Sequence, residues 1–327
     1  MRRKRRYNTA DNMKEKDKNI KKQIIKIVGL CIGLLILWFM IREFISNWSD
    51  IKPYLSNMNI GLFSFAILIY AAAFLLTGVN WSQILWKMDR GPGKKEYLNI
   101  HMVSALTRYI PGGIWSIVGK AFLCNKKGVD KQAVTVSIIL EYVFQIVSSG
   151  LFFVLFIPLL VHTESGILET WGTGILTLLI LFLLPFGINL GIRILSKIMK
   201  RSIGEIRLSK KDIYLTLIRY TAVWLLTGFG LIVLMSAFNG VEFLQGLYLM
   251  LSYPVSWVAG FLSPSPNGMG VREGILKILL GESQAQELIL LIVLTSRIWT
   301  IIGEIVAFIG FKIYYLLSGK KVVTDDI

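Results

Sequence analysis

Eight apolar runs dominate the chain, at approximately 24–41, 60–86, 97–119, 132–161, 171–192, 213–236, 243–262 and 286–317. Several reach the length of about 18–20 residues that an α-helix needs to cross a bilayer core. Hydrophobic residues make up 54% of the sequence and charged residues only 17%, against roughly 25% charged in an ordinary soluble domain. A soluble fold of 327 residues has too little interior to hide that much apolar surface. A soluble enzyme, a disordered chain and a disulfide scaffold are therefore excluded, and the lack of alternating short strands disfavours an outer-membrane barrel. The expected class is an all-α polytopic membrane protein.

The net charge is +16, and its placement carries topological information. Residues 1–26, 87–96, 120–131, 193–211 and the C-terminal end hold most of the 36 lysines and arginines, whereas 162–170 and 237–242 hold none. Basic links stay on the cytoplasmic side, so both termini are expected there, in a plasma membrane. The expected organisation is a basic tail over 1–23, one membrane domain over 24–318 and a second tail over 319–327. The basic N-terminus reads as a topogenic tail that fixes orientation, with attraction to anionic headgroups as the other reading, rather than as a nucleic-acid arm. The run 24–41 is followed by Arg42-Glu43-Phe44, with no small-residue cleavage site, and reads as a retained anchor.

Two links conflict with a simple alternation of crossings. Segments 87–96 and 120–131 are both basic, so the apolar stretch between them should leave and return on one side. Its middle is Arg108-Tyr109-Ile110-Pro111-Gly112-Gly113, where proline removes a backbone donor and glycine loosens the helix. A re-entrant helical hairpin from the cytoplasm resolves the conflict. In the second half, Pro264, Pro266, Gly268 and Gly270 break the stretch between 243 and the last run, which reads as a re-entrant segment from the outside. About six full crossings and two broken re-entrant segments result. Run starts at 60 and 213 and at 132 and 286, and prolines at 111 and 266, recur about 153–155 residues apart. Such offsets suit an inverted repeat with halves 24–161 and 171–318 and a site near the midplane; regular helix lengths are the alternative origin.

Ionisable residues at membrane depth are functional candidates by default. Ser137, Glu141, Gln145 and Ser148 share one face of their helix, as do Arg297, Thr300 and Glu304, by helical spacing. Arg108 precedes the first break, and Arg272 and Glu273 follow the second. Glu141 could pair with Arg297 or with Arg108, either as a structural lock or beside a lipid headgroup gripped by arginine. Arg219 reads as snorkelling to the cytoplasmic interface. No catalytic constellation is visible. His101 and His162 lack spaced partners, Cys31 and Cys124 give no metal spacing, and neither metal nor cofactor is implied. Gly91-Pro92-Gly93-Lys94-Lys95 lacks phosphate-loop spacing, and the glycines at 268 and 270 fail the dinucleotide pattern.

Residues 108–115, Arg-Tyr-Ile-Pro-Gly-Gly-Ile-Trp, together with Pro264-Ser265-Pro266-Asn267-Gly268-Met269-Gly270-Val271-Arg272-Glu273, resemble two stretches of the lysylphosphatidylglycerol synthase membrane region, or flippase-like family. Glu141 and Arg297 match its acidic and late arginine positions, while Tyr142 stands where arginine is common. The resemblance implies a membrane domain that moves or binds a phospholipid or lipid-linked saccharide in cell-envelope biogenesis. In the full-length synthases a soluble aminoacyltransferase domain follows, and its absence before Ile327 leaves two other expectations: a membrane part acting with a soluble transferase, or a scaffold without cargo. Cargo and oligomeric state stay open.

Overall fold

The computed structural model describes residues 35, 38, 41–42, 44–109, 115–160, 183–184, 186–191, 193–194, 208–265, 268–281 and 286–317. Its helices are α1 (Trp48–Ser56), α2 (Ile60–Met88), α3 (Lys94–Leu106), α4 (Trp115–Lys126), α5 (Lys131–Leu160), α6 (Lys210–Ser236), α7 (Phe243–Leu262), α8 (Val271–Leu280) and α9 (Gln286–Leu317), with a 3-10 turn at Thr107–Tyr109 after α3. No strand occurs among the described residues. Helix satisfies every backbone donor and acceptor internally, which a lipid environment demands. Four described helices, α2, α5, α6 and α9, are long and apolar enough to cross a membrane. The other two runs read as crossings, 24–41 and 171–192, fall largely outside the described residues.

Burial follows membrane logic. On α9, Ile298, Ile301, Ile305, Ile309, Ile313 and Leu316 form one exposed stripe, while Trp299, Thr300, Glu304, Ala307 and Phe311 are buried. The polar face is turned inward and the apolar face outward, the reverse of a soluble amphipathic helix.

The first stretch expected to be re-entrant is α3, the turn and α4, which fold back on one another as a hairpin. The Asp130 backbone N–H donates to Asp89 Oδ2 at 2.9 Å, so the links on either side of the hairpin touch at one end of the bundle. Burial pushes the Asp89 carboxyl up, but hydrogen bonds from the Asp130 and Gly91 amides and the Tyr97 hydroxyl outweigh it and hold the group below the usual carboxylate range. A Cβ on Gly119 would lie 3.2 Å from Ser104 Cβ, which shows how closely α4 folds back on α3. The breaking residues Pro111, Gly112 and Gly113 lie outside the described residues. The hairpin makes a direct topological prediction. In a background lacking the native cysteines, Lys94→Cys and Asn125→Cys will be labelled by an impermeant thiol reagent from the same side of sealed vesicles; labelling from opposite sides would break the hairpin.

The second hairpin is α7 and α8. A Cβ at Gly268 would stand 2.7 Å from Gly260 Cα, so the chain re-enters α8 across the end of α7. Pro266 lies outside the described residues, whereas Pro264 sits in the bend just after α7.

The two halves repeat, and the second is inverted. Helices α2–α5 have α6–α9 as counterparts in the same order: long, arm, short arm, long. Both α2 and α6 open on a polar N-cap, Asn59 accepting from the Leu62 amide and Ser209 from the Asp212 amide, which satisfies an otherwise orphaned donor. Gly78 on α2 meets Leu98, His101 and Met102 of α3, and Gly228 on α6 meets Met250 of α7. The counterparts α2 and α6 run antiparallel. The Asn59 amide donates to the Ala237 carbonyl at 2.7 Å at one end, and Lys87 pairs with Asp212 at the other. By contrast α9 runs parallel to α2, through Trp299 with Ala66 and Tyr70 with Glu304. Its equivalent pairing, α5 beside α6, is also parallel, through Phe144 with Tyr220 and Ser148 with Trp224. Exchanging the halves therefore maps each pairing onto the other, and only an inverted repeat makes the counterpart helices α2 and α6 antiparallel while doing so.

Candidate functional site

Arg108, Glu141, Glu273, Arg297 and Glu304 all close ion pairs, but not the pairs considered from sequence. Lys120 on α4 donates from Nζ to Glu141 Oε2 on α5 at 2.5 Å, with 6% and 3% of the two side chains exposed. Arg108, in the turn after α3, donates from Nη1 to Glu304 Oε1 on α9 at 3.0 Å. Arg297 on α9 pairs with Glu273 on α8, and Glu273 Oε2 also accepts from the Gly270 amide at 2.7 Å. The expected Glu141 pairing with Arg297 or Arg108 is thus replaced by one closer at hand. The short hairpin arm lies beside the long helix that follows it, so each arm supplies the partner.

These pairs obey the repeat with the charge reversed. In the first half the short arm carries the cation, Lys120, and the long helix the anion, Glu141. In the second half the short arm carries the anion, Glu273, and the long helix the cation, Arg297. Each hairpin is clamped to its own long helix at the cost of desolvating two charges, and each is tolerable because the pair is complete. The third pair crosses between halves, from Arg108 at the tip of the first hairpin to α9 of the second.

The polar stripe on α5 faces inward: Ser137, Glu141, Gln145 and Ser148 are all buried. Trp224 Nε1 donates to Ser148 Oγ at 2.9 Å and to the Gln145 carbonyl at 3.2 Å, so Gln145 contributes its backbone to the α5–α6 seam. Arg219 Nη1 donates to Gln83 Oε1 on α2. Nearby at the same end, Lys87 pairs with Asp212.

Two residues that the sequence left unassigned join the site. Lys120 lies in a basic link by sequence but is buried, its Nζ 4.5 Å from the centre of the Trp81 ring. The signal available was its flanks: Ile117, Val118 and Gly119 before it, Ala121, Phe122 and Leu123 after it. His101, which lacks any helical-spaced partner on its own helix, is 1% exposed and places Nδ1 3.7 Å from Glu141 Oε1.

At the second hairpin, Arg272 is buried over Tyr253 of α7, its guanidinium 4.5 Å from the ring centre. Its Nη2 has no hydrogen-bond partner among the described residues. Tyr70 of α2 lies within electrostatic reach of both Arg272 and Arg108 and donates to Glu304 Oε1 at 3.4 Å. Tyr70 and Glu304 thus link the first hairpin's tip to the start of the second hairpin's short arm. No group of three or more histidine, cysteine or acidic residues suited to a metal occurs among the described residues. A surface depression of about 350 Å³ lined by Trp38, Ile41, Arg42, Ile45 and Ser46 is open and apolar and touches none of these pairs.

Two helical hairpins, a repeat of four helices and buried charge pairs are set in an all-α bundle with four helices long and apolar enough to cross a membrane. The chain belongs to the lysylphosphatidylglycerol synthase TM region family, whose model matches residues 26–307. No curated protein and no solved structure shows significant similarity to it.

Proposed function

We propose that the chain binds the phosphate-bearing headgroup of a membrane lipid between its two hairpins and passes the lipid between leaflets. Arg272 carries the reading. A buried guanidinium is costly in hydrocarbon, and the Nη2 donors of this one meet no hydrogen-bond partner among the described residues. The remaining donors of such a fork fit phosphate oxygens. Arg108 supports it from the other hairpin: its side chain stays 28% exposed although Glu304, its partner, is buried, so it can meet a ligand without losing that pair. Inverted repeats with broken helices are the architecture in which transporters place such a site at the midplane. The family's name favours phosphatidylglycerol or its lysyl ester as cargo; a lipid-linked saccharide offers the same phosphate chemistry.

The test is leaflet exchange of fluorescent phosphatidylglycerol in proteoliposomes, read by quenching from outside. Arg272→Lys and Arg108→Gln each remove a forked, charge-assisted contact worth about 1.5–3 kcal/mol, so exchange should slow by roughly 10- to 100-fold. Thermal unfolding in detergent checks that both variants remain folded. Wild-type exchange in both would defeat the proposal.

A further inference from the structure

We propose that His101, Glu141 and Lys120 form a proton-binding site, and that one proton binds there with each phosphate headgroup held by Arg108 and Arg272. The inference rests on the lipid reading above and adds a coupled ion to it.

The geometry is specific. Glu141 sits between two bases: Lys120 Nζ at 2.5 Å from Oε2 and His101 Nδ1 at 3.7 Å from Oε1. Lys120 takes up one carboxylate oxygen, and the other faces the imidazole. His101 is almost completely buried, yet neither ring nitrogen has a hydrogen-bond partner among the described residues. Buried polar atoms are seldom left unpaired, and each exception calls for a physical reason. A neutral imidazole can turn one N–H toward the carboxylate but leaves its other nitrogen a bare, buried acceptor; an added proton makes both nitrogens donors, with Nδ1 directed at Glu141 Oε1.

The surroundings determine when that proton is held. Helix α2 meets His101 with Gly78 and with the rings of Phe74 and Trp81, each with its centre 5.8 Å away. From α4 come Lys120 and, beside it, Cys124; from α5, Glu141 and its neighbour Tyr142; from α6, Tyr220 reaches Glu141. Arg108, at the end of the His101 helix, acts on both His101 and Lys120, and is itself paired with Glu304 of α9. Without ligand, the Lys120–Glu141 pair is neutral as a unit. An added proton on His101 would then be a net buried charge, opposed by Arg108 and Lys120. A phosphate at Arg108 and Arg272 offsets that repulsion. In the step itself, hydronium gives up a proton, an N–H bond forms at the imidazole nitrogen that was bare, and water leaves.

Linkage makes the effect reciprocal. If the anion favours the proton, lower pH must favour the anion. Calorimetric titration of the detergent-solubilised full chain with short-chain phosphatidylglycerol, in buffers of different ionisation enthalpy, reads the protons taken up per lipid bound. The wild type should take up a proton on binding. Its affinity should rise as pH falls, by up to about tenfold per unit where the site changes state. His101→Gln should still bind, with no uptake and a flat pH profile. Binding by the wild type without uptake, or the same uptake in His101→Gln, overturns the proton site and leaves the lipid reading standing. No binding at any pH overturns both. Inorganic phosphate titrated alone is the comparison, and uptake driven by it but not by the lipid would refute the headgroup as the coupled ligand.

Discussion

Glu141→Leu will destabilise the protein by about 3–5 kcal/mol, the cost of removing one partner from a buried ion pair. Both side chains are almost fully buried, so solvent cannot screen the ammonium left behind. Lys120 also lies against the Trp81 ring, which softens the loss but offers no counter-charge. The double variant Lys120→Met, Glu141→Leu should recover most of the loss, because replacing a whole buried pair by apolar groups of similar size is often neutral or favourable. Equilibrium unfolding in mixed micelles measures all three proteins. A single variant as stable as the wild type, or a double variant no better than the single, would show that the two groups are not paired inside the bundle. The same cycle on Arg108 and Glu304 should give a smaller coupling, since Arg108 is partly exposed and Tyr70 would still donate to Glu304.

The pairings mark where sequence reasoning reached its limit. Membrane helices were legible because hydrocarbon forces long apolar runs, and α2, α5, α6 and α9 follow them closely. The first hairpin was legible because two basic links cannot flank a single crossing; the contact between Asp89 and Asp130 joins those links. The inward faces of α5 and α9 were legible because helical spacing fixes which residues share a face. Which face meets which is a property of the bundle, so Glu141 could be placed inward but not assigned to Lys120. His101 was missed for the same reason. Its partner is 40 positions away in sequence, and nothing on its own helix signals the contact. Charge itself misled at Lys120, because a lysine that closes a buried pair and one that marks a cytoplasmic loop are the same letter.

The second large effect concerns Gly268, where backbone rather than charge sets the hairpin. Its φ is +65°, in the region where a side chain costs roughly 1–2 kcal/mol. A Cβ there would also stand 2.7 Å from Gly260 Cα and 2.9 Å from its carbonyl carbon. Neither neighbour is the far end of a flexible side chain, so α7 and the start of α8 would have to separate, adding an overpacking penalty of about 1–3 kcal/mol. Separation acts on function as well. Gly260 also approaches Arg272 Cβ at 3.2 Å from its own would-be Cβ, so any shift there moves the guanidinium over Tyr253 and the Glu273 clamp beside it. Gly268→Ala should therefore lose about 2–5 kcal/mol of stability and abolish leaflet exchange even at temperatures where the bundle stays folded. Gly150→Ala is the matched control. It lies within α5, and no described residue stands within 4 Å of its would-be Cβ, so it should be neutral or stabilising by up to about 1 kcal/mol, since alanine is the better helix former. Equal melting curves for the two variants, with exchange intact in both, would mean that the close crossing of α7 by the returning chain does not hold the second hairpin in place.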